Sequence, residues 1–116
     1  MQATEYGSTD KIFFNENNVL FVVKDGFECV AHFVSGIRLS LSLSGMQEFL
    51  NQMPKVFSYE LYLPVFLNTK EIESYSTDGV VVNVAFNNGR RLKELSRKHF
   101  NENVVPLLDN NQVCER

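Results

Sequence analysis

Four dipeptides decide what this chain can become. Asp25-Gly26, Ser35-Gly36, Asp78-Gly79 and Asn88-Gly89 each stand before or between short apolar runs. Glycine lacks a Cβ, and Asn and Asp tolerate the left-handed region, so such pairs supply the positive φ of tight turns. Short β-branched and aromatic runs punctuated this often predict hairpins, not long helices. The run 19–24 turns at Asp25-Gly26 into 27–34, and Ser35-Gly36 turns again into 37–43. In that last run Ile37, Leu39, Leu41 and Leu43 alternate with Arg38, Ser40 and Ser42, which predicts one buried and one wetted face. The apolar run 80–86 returns at Asn87-Asn88-Gly89, with Leu92 and Leu95 as the expected inward positions of the returning segment.

The remaining segments complete a mainly β chain. Residues 11–14 predict a short strand, and 56–63 predict another, with Pro64 restricting strand structure there to an edge or a break. Only one stretch changes period clearly. Over residues 44–53, Ser44 and Gln47 have capping-box spacing, and Met46, Phe49, Leu50 and Met53 recur at helical intervals before Pro54. A second, short helix is expected over 97–103, with Ser96 as its N-cap. The apolar patch 104–108 is expected to pack back on the domain. Residues 1–10 predict a disordered lead or linker remnant, 11–108 a single domain, and 109–116 a polar tail.

At 116 residues, 44% of them hydrophobic and ten of them Phe, the chain is large enough for one real core. No apolar run is long enough to span a bilayer and the first residues lack signal-peptide order, so a cytoplasmic location and no membrane partner are expected. Cys29 and Cys114 form no metal or redox spacing. Cys29 is expected to be a buried small hydrophobe. His32 and His99 lie far apart, and no carboxylate pair or glycine-rich phosphate loop appears. No catalytic residue, metal, cofactor or small-molecule substrate is therefore expected. His32 alternates with Ala31 and Phe33 and predicts a solvated or hydrogen-bonded sheet histidine.

Charge supplies the first clue to function. Five of the eleven Lys and Arg, namely Arg90, Arg91, Lys93, Arg97 and Lys98, fall within nine residues against the single carboxylate of Glu94, in a chain of net charge −3. A compact basic block on an otherwise acidic surface attracts a polyanion locally. With Ser96 opening a helix beside two cations, the block also suits a phosphate. A solvated charged turn is the alternative reading.

The order of these elements resembles the LytTR DNA-binding domain, the effector domain of many bacterial response regulators. The run 19–23 followed by Asp25-Gly26 is similar to that family's opening strand and loop, and residues 43–50 are similar to its single helix. Val65-Phe66-Leu67-Asn68 with Ile72 matches its aromatic-apolar-Val-Asn and downstream Ile. Asn88-Gly89 and then Ser96-Arg97-Lys98-His99-Phe100 are similar to its closing hairpin and helix start, so the resemblance spans about residues 11–102.

That resemblance implies an elongated arrangement of short antiparallel strands and a sequence-specific, double-stranded DNA-binding transcriptional regulator of a two-component system. It would read the major groove through loops and the segment 90–99. Arg97 or Lys98 would then reach a guanine edge, while Arg90, Arg91, Lys93 and Ser96 would hold phosphates. His99, Lys24, Phe27 and Tyr62 complete the candidate DNA-binding residues, and a homodimer on repeated half-sites is the implied assembly. Two departures stand against this. Glu60-Leu61-Tyr62-Leu63-Pro64 replaces the family's usual Arg and His-Arg or His-Asn pair. The link 92–95 is one residue longer than the family's apolar-Pro-apolar link. The alternative is therefore a divergent LytTR-like interaction domain that has lost DNA binding and meets a protein through the edge at residues 61–63 or the patch at 104–108.

Overall fold

All four glycine turns close hairpins. The computed structural model describes residues 2–7, 11–43, 51, 53–108 and 113–115. Its central sheet contains β3 (Val19–Asp25), β4 (Glu28–Phe33), β5 (Arg38–Ser42), β6 (Lys55–Phe57) and β7 (Pro64–Leu67), in the order β5-β4-β3-β7-β6. A second sheet contains β8 (Ile72–Asp78), β9 (Val81–Phe86), β10 (Arg91–Ser96) and β11 (Val113–Glu115), in the order β10-β9-β8-β11. Helix α1 (Arg97–Asn103) follows β10 directly. Gly26, Gly36, Gly79 and Gly89 all have positive φ, as their turns require.

Apolar residues on facing surfaces hold the two sheets together. Leu20, Phe21, Val56, Val65 and Leu67 of the first sheet meet Ile72, Val82, Val84, Phe86 and Leu95 of the second, and Phe100 and Val104 close the cluster from α1 and its end. Burying each large side chain stabilises the fold by about 1.5–3 kcal/mol before conformational entropy is counted. A second cluster lies on the other face of the central sheet, where Val19, Val22, Cys29, Ala31, Phe33 and Leu41 pack with Leu39, Leu43 and Met53. Cys29 is fully buried there, and desolvation pushes its thiol pKa up. The whole is mainly β and elongated, 45 × 27 × 21 Å.

One strand solves a periodicity problem. Leu92 and Leu95 are three residues apart, which in a regular strand places them on opposite faces. Here Leu92 pairs with Val84 and Leu95 with Val82, so β10 advances three residues while β9 advances two. The bulge absorbs the extra residue and returns Leu95 to the core, where it is 1% exposed. Glu94 takes the required left-handed turn at φ 60°, its N–H donating to Asn83 Oδ1 at 3.0 Å.

Several expectations need correcting. Pro64 opens β7, which is an interior strand between β3 and β6. It is tolerated because the ladder to β3 begins one residue later, at Val65, so no donor is missed there. Residues 58–63 form a loop between β6 and β7, not a strand continuing from 56 and not a sheet edge, and Tyr62 in it has φ 53°. Ile37 sits in the turn before β5 and is exposed. The lead contains β1 (Gln2–Thr4), paired with β2 (Lys11–Phe13), and the tail contains β11, paired in parallel with β8. The helix expected over residues 44–53 falls almost wholly outside the described residues.

Candidate nucleic-acid interface

The basic block does not fold into one patch. Because β10 is extended, its cations are distributed along a strand instead of gathered on a turn. Arg90 stands at the hairpin end, its guanidinium 5.6 Å above the Phe21 ring. Arg91 and Lys93 are exposed on β10 and line a shallow pocket with Ser74, Ser76 and Asn83. Arg97 and Lys98 open α1 at the other end, roughly 17 Å further along by strand rise. The expectation of a compact basic block is therefore corrected: it is three separate cationic positions.

The Arg97 and Lys98 end is the most elaborated. Three connections meet there. Ser58, just after β6, bridges to Leu95, and the Tyr59 N–H donates to the Glu94 carbonyl at 2.8 Å. The Arg97 N–H donates to the Val80 carbonyl at 3.0 Å, joining the β8–β9 turn to the helix start. Together Tyr59, Gly79, Val80, Ser96, Arg97, Lys98 and Asn101 line an open pocket of about 470 Å³. Arg97 Nη1 donates to the Gly79 carbonyl at 3.0 Å, which fixes the guanidinium and leaves its other donors uncommitted by that bond. Lys98 is exposed beside it.

Ser96 does not make the expected cap bond, and His99 is packed beside it. Ser96 occupies the N-cap position, but its hydroxyl makes no bond to the helix backbone. Ser96 Oγ instead lies 2.9 Å from His99 Nδ1, and the tautomer decides which donates. The serine is thus engaged by the imidazole, and it lines the same pocket as Arg97 and Lys98. His99 is half-buried, its ring 4.7 Å from Phe57 and 5.8 Å from Tyr62. Tyr62 stacks on Phe57 at 4.3 Å with an interplanar angle of 8°, and remains 59% exposed. Lys24 and Phe27 belong to the β3–β4 hairpin, at the same end of the central sheet as the β6–β7 loop; Phe27 is 83% exposed and neither lines the pocket.

Tyr59, Val80 and Asn101 were not legible as site residues. Tyr59 lies in a run whose apolar content reads as strand, and Asn101 is one polar residue of a helix face. Val80 had a usable signal: directly after Asp78-Gly79 it must sit at a turn tip, which explains why so apolar a residue is 56% exposed.

His32 differs from its expectation too. Its ring stacks on Phe21 at 4.3 Å, and its Nδ1 is buried without a hydrogen-bond partner. Desolvation first, then the charges of Arg90 and Arg38, lower its pKa from 6.5 to about 4. It is a neutral ring packed in the sheet, not a solvated one. Among the described residues, no group of His, Cys, Asp and Glu is placed to hold a metal, and no helix is long and apolar enough to cross a membrane.

Comparison with known proteins agrees at the level of architecture. No family model and no curated protein matches the sequence. Among solved structures, a LytTr DNA-binding domain from Bacillus cereus superposes with a TM-score of 0.58, covering 88% of this chain and 90% of that one at 10% identity. The chain thus has the LytTr fold.

Proposed function

We propose that this chain is a DNA-binding regulator domain that docks on duplex DNA through the end formed by the β6–β7 loop, the β8–β9 turn and the start of α1. The observation that carries the reading is the pairing of exposed Arg97 and Lys98 around one pocket with Tyr59 and Val80. It occurs on a fold shared with a LytTr DNA-binding domain. In this reading the anchored Arg97 fork meets a guanine edge or a phosphate, and Lys98 supplies a mobile point charge to the backbone. Tyr62, held over Phe57, offers an apolar rim for a thymine methyl. Arg90, bound over Phe21 at the far end, is not part of this contact. A symmetric dimer would place two such ends on repeated half-sites, and the natural setting is a cytoplasmic regulator under the control of a signalling module.

The test is Arg97→Ala with Lys98→Ala. Affinity for a selected duplex should fall at least tenfold, and the slope of log K against log salt should shrink by roughly one to two units, about 0.9 for each phosphate no longer neutralised. Wild-type affinity and slope in the double variant would refute the assignment.

A second reading has its own observation. Glu60, Asp78, Glu94 and Glu102 lie on the same loop, turn, bulge and helix as the two cations, and Leu61 beside them is 74% exposed. Exposed apolar groups with carboxylates on the neighbouring elements suit a protein partner better than a polyanion. This reading requires that duplex DNA is not retained even at low salt.

A further inference from the structure

We infer that the outer face of the second sheet carries a separate phosphate-binding pocket built on Arg91 and Lys93. It has about 230 Å³ of space and lies on the three strands β8, β9 and β10. Ladder pairing explains its composition. Ser74 pairs with Ala85 and Ala85 with Arg91, and in the next row Ser76 pairs with Asn83. Alternation turns Val84 and Leu92 toward the core, which leaves this polar row on the other face. Ser74, Ser76, Asn83, Arg91 and Lys93, all with donor hydrogens, therefore line one small hollow, and Tyr75 also borders it.

Three features make the hollow suited to an oxyanion. None of the described residues in its lining is acidic, so Arg91 and Lys93 stand there as neighbouring like charges. Such an arrangement costs repulsion that a bound anion removes. Next, Asn83 Oδ1 is already taken by the Glu94 N–H at 3.0 Å, so the carboxamide's NH2 is the end left for a ligand. Last, Ser74, only 7% exposed, is the buried polar residue among the described residues and lies in this lining. A guanidinium fork, an ammonium, hydroxyls and an amide match several oxygens of one tetrahedral group better than a halide or a single carboxylate.

The pocket does not depend on the DNA reading, because it is distinct from the Arg97 and Lys98 end. Its phosphate can be free, on a small phosphorylated compound, or part of a nucleic-acid backbone. The experiment is a titration of the full chain with inorganic phosphate, followed by amide NMR shifts, against chloride at matched ionic strength. Saturable shifts at residues 74–76, 83–85 and 91–93 are expected with phosphate and not with chloride. Arg91→Gln with Lys93→Gln should weaken phosphate at least tenfold, while Arg97→Ala with Lys98→Ala leaves it unchanged. Both altered residues are exposed, so an otherwise unchanged spectrum verifies the fold. Linear shifts of equal size with both salts, or wild-type phosphate affinity in the glutamine variant, would overturn the inference. A duplex titration then separates the sources. Loss of duplex affinity in the glutamine variant assigns the pocket to the nucleic-acid backbone, and unchanged affinity assigns it to a free phosphate compound. Failure of all duplex binding with phosphate binding intact would remove the DNA reading alone.

Discussion

His32 shows how far one side chain can be carried from its behaviour in water. Stacked on Phe21, with Nδ1 buried and unpartnered, and with Arg90 and Arg38 acting on it, the ring resists protonation until about pH 4. The unfolded chain accepts that proton near pH 6.5, so it binds more protons than the folded chain between the two values. This contribution to stability is whole above pH 6.5 and is lost as pH falls toward 4. It amounts to on the order of 2 kcal/mol after allowance for partial solvent access. His32→Phe should keep the stacked ring and remove the titration. Urea midpoints measured at pH 7 and pH 4.5 should therefore fall less in the variant than in wild type, and equal falls would show that His32 is not the acid-sensitive group. The sequence placed His32 correctly on a strand between Ala31 and Phe33. What it could not show was that Phe21, eleven positions earlier, becomes the stacking partner across the ladder.

At the scale of elements, hairpins were legible and their distortions were not. Asp-Gly and Asn-Gly pairs located turns because φ is a local property, and Leu39 and Leu41 lie in the alternating run as expected. The bulge in β10 was invisible for a related reason. Leu92 and Leu95 were expected to face inward, but their spacing allows that only if one residue is extruded, and only pairing with β9 identifies it as the bulge ending at Leu95. Strand β8 was missed because its burial depends on β9 and β11 flanking it, while its sequence, Ile-Glu-Ser-Tyr-Ser-Thr-Asp, is largely polar. The bulge yields its own test. Glu94 at φ 60° is a side chain in a conformation glycine adopts freely, so Glu94→Gly should stabilise the fold by on the order of 1 kcal/mol. A lower melting temperature in that variant would mean that the glutamate side chain makes a compensating interaction.

At the scale of the whole molecule, the two larger sheets share a core and differ in their outer faces. Phe86, fully buried where both sheets meet and stacked at 5.5 Å on Phe21, is the residue whose removal should be felt most. Phe86→Ala is expected to cost about 3–5 kcal/mol in denaturant unfolding, and a drop below about 1 kcal/mol would mean that the sheets do not depend on this ring. Site legibility divides at the same scale. That Arg97 and Lys98 are cations at a helix start was legible, because charge and the Ser96 N-cap position are read directly from sequence. The expectation that the five cations form one compact block is not met, because an extended strand spreads neighbours in sequence over roughly 20 Å. Nor could the apposition of Tyr59 with Val80 be foreseen, since it is made by two sheets meeting.

The most direct test of DNA binding at the Arg97 and Lys98 end is retention of the full chain on a random pool of duplex DNA at two salt concentrations, with sequencing of the bound fraction. Enrichment of a short motif, with affinity falling steeply as salt rises, is the result expected of a groove-reading domain. No retention at the lower salt would contradict it and leave this end as a surface for a protein.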